Sequence, residues 1–218
     1  MPLVWLGHNL VCFVHVPKCA GTAVTHYLAQ HFGPLALHDP KFSGLPDTAR
    51  WSRTSPQHLD AQTYARLFPP GFLNGSFAVV RHPVDRLVSV FHFQREIEGR
   101  IAADCSLEAW VDSLSEGMDH WMFDNHTRPM TEMVPEQTVA FQLEAGLTPL
   151  IGWLQQMSGL EVPLPAEIPL RNVLAQRLKF AGKPAVQRVV SPDVRAKIER
   201  LYAADFERFG YATASAAP

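Results

Sequence analysis

Four residues stand where their chemistry could handle an anion: Lys18 and Thr22 in "FVHVPKCAGT" (residues 13–22), and Arg81 and Ser89 in "FAVVRHPVDRLVSVFHF" (residues 77–93). In the first stretch an apolar, β-rich run breaks at Pro17 and re-emerges as a helical pattern. A strand that turns sharply into a helix leaves helix N-terminal N–H groups without partners, and with the helix dipole these favour a negative group. Pro17 stiffens the exit, Ala20 and Gly21 let a ligand approach the backbone, Lys18 adds a cation and Thr22 a hydroxyl. An ordinary βα turn with a solvent-facing lysine has the same composition, so this stretch alone leaves both readings open. The order is not that of a Walker A loop, where the lysine follows the glycines.

The second stretch shifts the balance. Arg81 ends a buried strand, at the edge where open α/β sheets host ligands. Pro83 opens the next helix, whose core stripe is Val84, Leu87, Val88 and Phe91. A guanidinium at the strand end and the Ser89 hydroxyl two turns into the helix suit a phosphate dianion. The competing expectation pairs Arg81 with Asp85 and gives Ser89 a packing role.

These residues need a sheet to place them. "LVCFVHV" (residues 10–16) and "SFAVVR" (residues 76–81) read as strands buried on both faces, and "QTVAFQLE" (residues 137–144) as a third. Helical spacing follows the first two strands, with Val24, Leu28 and Phe32 on one stripe of the first helix. A short helix capped by Asp60 and stopped by Pro69-Pro70 precedes the second strand, and another is expected near residues 107–114. "GLTPLIGWLQQM" reads as a helix, and an amphipathic terminal helix opens at Ser191-Pro192. Residues 33–56, 120–135 and 161–169 read as irregular. The strand–helix alternation predicts an α/β, P-loop-like three-layer fold with a central, mainly parallel sheet flanked by helices. The expected organisation is a single domain over 1–218, with 212–218 a frayed tail.

Composition bounds the function. Of 218 residues, 47% are hydrophobic and 18% charged, an ordinary globular balance, and the formal net charge of −2 gives no global field for nucleic acid. Any anion site must be local. Cys12, Cys19 and Cys105 cannot all pair and show no metal-ligand spacing, which fits a reducing compartment with Cys12 a core thiol. No run is long enough for an integral membrane segment, and no signal peptide is visible, so a cytoplasmic location is expected.

Together the two stretches resemble the sulfotransferases that use 3′-phosphoadenosine 5′-phosphosulfate (PAPS). "FVHVPKCAGTAV" is similar to their 5′-phosphosulfate loop and "VVRHPVDRLVSVFHFQR" to their 3′-phosphate motif. Within that superfamily the wording is nearest to the carbohydrate branch that includes heparan sulfate 2-O-sulfotransferase and its bacterial relatives; "DNHTRP" and "IERLYAADFERFGY" also look like that group. The resemblance implies that Lys18, Cys19, Ala20, Gly21, Thr22 and Ala23 hold the 5′-phosphosulfate, and Arg81 and Ser89 the 3′-phosphate. It also implies a histidine base before the second motif strand, which "SPQHLDA" places at His58. The donor would be PAPS, the product 3′-phosphoadenosine 5′-phosphate (PAP), and the acceptor a hydroxyl of a sugar or small metabolite, with no metal required. Lys18 would meet charge on the leaving group. His126 and Arg128 are candidate acceptor contacts, beside His120 and Trp121, or else packed loop residues. Lys183 and Arg188 are candidates for a late loop over the nucleotide, or else solvated cations. Where relatives read Arg-Pro-Gln, this chain has Arg128-Pro129-Met130. Trp110 and Trp153 are expected in the core. The rival readings are a P-loop-type nucleotide kinase and a non-catalytic nucleotide-binding protein retaining the fold.

Overall fold

Strands β1 (Leu3–Leu6), β2 (Asn9–Val14), β3 (Gly75–Val80) and β4 (Val139–Gln142) form one sheet in the order β1-β2-β3-β4. In this computed structural model, residues 1–117, 119–169, 171, 174–180, 182, 183, 186 and 189–214 are described. β1 pairs antiparallel with β2, whereas β2–β3 and β3–β4 are parallel. The register sets Val14 against Ala78 and Ala78 against Ala140, so the carboxyl ends of three parallel strands open at one edge. His15 and Arg81 both leave the sheet there. The residues of β2 and β3 that read as unbroken apolar runs are buried almost throughout, as a sheet covered on both faces requires.

The parallel pairings need crossovers, and helices supply them. α1 (Gly21–Phe32) follows β2 and buries Val24 and Leu28 in the sheet core. α2 (Ala61–Leu67) starts at Asp60, whose side chain accepts from the Thr63 amide at 2.7 Å, as its sequence predicts. α3 (Pro83–Glu96) follows β3, and α4 (Leu107–Ser115) packs with it in a second core cluster that includes Trp110. α5 (Met130–Met133), α6 (Thr148–Ser158), α7 (Leu174–Phe180), α8 (Pro192–Leu201) and α9 (Ala203–Phe209) complete the order. Trp153 on α6 is partly buried and lies against Phe77 of the sheet.

Three details depart from the sequence reading. β2 ends at Val14, two residues early, which frees His15 and Val16 to lead into the loop. The terminal helix is divided at Tyr202 into α8 and α9, and Ser191 caps α8 by accepting from Val194 N. β1 and α7 carried no recognised signal: β1 has four residues and α7 seven, too short for a period to declare itself. Among the described residues no helix is long and apolar enough to cross a membrane. Of the expected tail, residues 215–218 lie outside the described residues.

Candidate active site

The open edge of the sheet carries a cavity of about 780 Å³. That is within the usual range of roughly 300–1,000 Å³ for small-molecule sites. Its lining brings together Lys18, Ala20, Gly21, Thr22, His58, Arg81, Ser89 and His126, residues drawn from four separate parts of the chain. Five lining cations (Lys18, Arg81, Arg100, Arg171 and Arg177) face two carboxylates (Glu98 and Asp124) among the described residues. A chain with net charge −2 thus concentrates positive charge at one place.

The loop between β2 and α1 is shaped by its backbone. Lys18 and Ala20 both take left-handed conformations, with φ of 66° and 61°, and no side chain caps α1. Cys19 between them has a negative φ, so the sign of φ alternates along the loop, the backbone pattern from which anion-binding nests are made. Positive φ values are costly for residues with a Cβ and concentrate at functional sites. Gly21 is fixed for a steric reason: a Cβ there would lie 1.6 Å from His15 Nε2. The His15 ring, partly buried at the edge of the cavity, therefore occupies the space that only a glycine leaves. Cys19 and Ala23 face inward and are buried; burial pushes the Cys19 thiol up to about 12, so it is a packing group.

Arg81 donates from Nη1 to the Lys18 carbonyl at 3.4 Å, which joins the two motif corners directly. Asp85 is exposed on α3, and no Arg81–Asp85 ion pair forms among the described residues. Ser89 is buried yet borders the cavity. Arg86, which the sequence reading passed over as part of the helix, is almost wholly buried. Its Nε donates to the Pro17 carbonyl at 3.2 Å and its Nη2 to the His126 carbonyl at 2.9 Å. One guanidinium thus ties the first loop to the "DNH" segment.

His58 ends a turn at Pro56–His58 and faces that segment. Its Nδ1 lies 2.7 Å from Asp124 Oδ2 and 3.2 Å from Ser55 Oγ. Ser55 also donates to Asp124 through its hydroxyl (2.8 Å) and its amide (2.6 Å). With Nδ1–H donated to a carboxylate, Nε2 is the nitrogen left to accept a proton. Ser55 sits on the Asp side of the ring, so this is not the Ser–His–Asp arrangement of acyl transfer, in which serine meets the other nitrogen. Burial alone would raise the Asp124 carboxyl, but the His58 charge and hydrogen bonds outweigh it and hold the group well below the usual carboxylate range.

Asp124 and Asn125 are consecutive left-handed residues, with φ of 52° and 60°. Asp and Asn tolerate this conformation better than most residues. The turn they make lets Asn125 Nδ2 donate to the His58 carbonyl at 2.7 Å while Asp124 holds the ring. His126 packs edge-on to His58, with ring centroids 5.1 Å apart, and its Nδ1 donates to the Phe123 carbonyl. Burial, then the neighbouring His58, lower the His126 imidazole to about 3, so it is neutral at physiological pH. His15 approaches His58 from elsewhere, with centroids 4.8 Å apart, and burial lowers it well below its ordinary value.

Folding thus assembles a group that the sequence spacing does not show: His58, Asp124 and His126 offer three possible metal-ligand atoms within 4.8 Å of one another. Two of these three residues, His58 and Asp124, already share a hydrogen bond, the geometry of an oriented base.

Residues 3–212, nearly the whole chain, match the model of the sulfotransferase family. The chain belongs to that family. No curated protein and no solved structure matches it. In this sulfotransferase the remaining candidates separate. Arg128 does not line the cavity; it pairs with Glu132 at 2.7 Å, donates to Asn125 Oδ1 at 2.9 Å and lies over the Trp121 ring. It braces Asn125, and through it His58. Lys183 is likewise away from the cavity lining and bonded to Glu96. Arg188 lies outside the described residues. In their stead Arg171 and Arg177, ahead of and within α7, reach the cavity. Asp124, His15, Arg86 and Arg177 were missed because each acts through a contact across the fold; "DNHTRP", read only as part of the family likeness, is the one stretch that could have drawn attention to Asp124.

Proposed function

We propose that this sulfotransferase transfers the sulfuryl group of PAPS to a hydroxyl of a sugar or small metabolite, with His58 as the general base. The observation that carries the reading is the His58–Asp124 hydrogen bond of 2.7 Å, in the same cavity as the Lys18 loop, Arg81 and Ser89. The nest at Lys18–Thr22 takes the 5′-phosphosulfate, and Arg81 with Ser89 takes the 3′-phosphate. The chain acts as one domain of the carbohydrate branch related to heparan sulfate 2-O-sulfotransferase.

His58 Nε2 accepts the proton of the acceptor hydroxyl as its oxygen attacks sulfur in line. The bond from sulfur to the bridging phosphate oxygen breaks, and PAP departs with the electron pair. Asp124 keeps the imidazole in the tautomer that can accept and stabilises the imidazolium that forms. Lys18 meets the charge developing on the bridging oxygen, so its contribution is felt most in the transition state. The scheme uses no metal.

Calorimetry with PAP, and separately with ATP and Mg²⁺, tests the donor. Binding of PAP alone is expected, and Arg81→Ala should weaken it by roughly 10–100-fold, the loss of a charge-assisted contact. Preference for ATP with Mg²⁺ would instead indicate a kinase. Unchanged PAP affinity in Arg81→Ala would move the 3′-phosphate elsewhere.

A further inference from the structure

Phe93 lies on α3 one turn beyond Ser89 and borders the cavity. Three groups converge on its ring. Lys18 Nζ lies over it, 3.8 Å from the centroid, and Arg177 Cζ is 5.2 Å away. The His126 ring is parallel to it within 6°, at 5.7 Å between centroids. His126 in turn meets the His58 ring edge-on.

We propose that Phe93 is a positioning residue for the transfer reaction, its ring holding the Lys18 ammonium and the His126 plane in register with His58. The inference rests on the functional reading above, in which Lys18 meets the leaving group and His58 takes the proton. A lysine side chain has four rotatable bonds, and an ammonium is strongly hydrated. The negative face of an aromatic ring attracts it and shortens the list of places it visits. An aliphatic side chain of similar volume offers no such face. The parallel stack on His126 uses the same ring, so the groups serving the leaving oxygen and those serving the acceptor hydroxyl share one rigid support. Phe93 touches neither reacting bond. Removing its face therefore leaves PAP binding nearly intact, because the nest, Arg81 and Ser89 remain, and lowers the rate at which bound donor reacts.

The test compares Phe93→Leu with Phe93→Tyr, which keeps the aromatic face. PAP affinity is measured by calorimetry, melting temperature by circular dichroism, and turnover with saturating PAPS and a hydroxyl acceptor found by screening the wild type. Phe93→Leu should lower kcat about tenfold with the PAP Kd within about twofold of wild type, while Phe93→Tyr stays within about twofold in both. Full turnover in Phe93→Leu, or equal losses in the two variants, would overturn the positioning role. Parallel falls in affinity, melting temperature and rate for Phe93→Leu would also overturn it, in favour of plain packing. A wild type that binds no PAP would overturn the donor reading itself, a result distinct from a wild type that binds PAP beside a fully active Phe93→Leu.

Discussion

His58 shows how folding sets one copy of a common residue apart. The chain has 10 histidines; the resemblance carried by "SPQHLDA" singles this one out, and the fold adds a carboxylate from 66 positions away at 2.7 Å. Asp124→Asn keeps the shape and removes the charge that fixes the Nδ1–H tautomer. We expect it to lower kcat by about 10²–10⁴-fold, the range of a general base, with PAP affinity nearly unchanged. Steady-state turnover beside calorimetry checks this; normal turnover would assign Asp124 to stability alone. At this scale the sequence was legible wherever chemistry is local. Lys18, Gly21, Arg81 and Ser89 stood out because strand ends and helix starts announce themselves. Asp124, Arg86 and His15 did not, since a hydrogen bond between distant segments leaves no period or spacing to read.

The elements explain why the two loops meet. The first loop depends on the fit between His15 and Gly21. Gly21→Ala forces a methyl group into the imidazole, which we expect to cost about 1–3 kcal/mol of stability, as overpacking does. Combining it with His15→Ala should restore part of that loss, a non-additivity that urea denaturation of the two single variants and the double variant would reveal. Purely additive losses would contradict the contact. The "DNHTRP" segment is held by the C-terminal helices. Tyr202 donates to the Thr127 carbonyl at 2.6 Å, and Asp205 accepts from the Met130 and Thr131 amides at 2.8 Å each. Arg208 donates to the Thr131, Val134 and Pro135 carbonyls. This is the physical content of "LYAADFERF", a stretch whose pattern announces only an amphipathic helix. Asp205→Ala leaves two amide donors of the α5 start without an acceptor. A loss of about 1–3 kcal/mol is expected, read by the urea midpoint, because an unsatisfied buried donor carries the full desolvation penalty. β2, β3, β4 and the longer helices were foreseen within a few residues from apolar runs and caps, and the four-residue β1 was not. The division of the last helix at Tyr202 was not, because the apolar period continues through it.

The whole molecule carries the cost of building this site in its pH dependence. His126 and His15 are buried neutral, with pKa values below those they have in the unfolded chain. Between about pH 6.5 and about 3 the unfolded chain binds a proton at His126 that the folded chain does not, so acid favours unfolding across that window. Asp124, whose carboxyl is held low, adds acid sensitivity only below its ordinary value near pH 4. Stability should thus begin to fall below about pH 6.5, by about 1.4 kcal/mol per pH unit for each histidine kept neutral. A flat stability between pH 7 and 5, measured by urea titration, would contradict the buried neutral state. At this scale the sequence allowed a local anion site despite a net charge of −2, and the fold gathers five cations and two carboxylates, among the described residues, around one cavity at the sheet edge.

The central claim is that one cavity binds the donor with its loops and drives transfer with His58. Its most direct test is turnover of PAPS by wild type and His58→Ala, with PAP affinity measured on the same preparations. The account predicts that His58→Ala binds PAP as wild type does and loses transfer by about 10²–10⁴-fold. Transfer at the wild-type rate by His58→Ala, with PAP still bound, would contradict it.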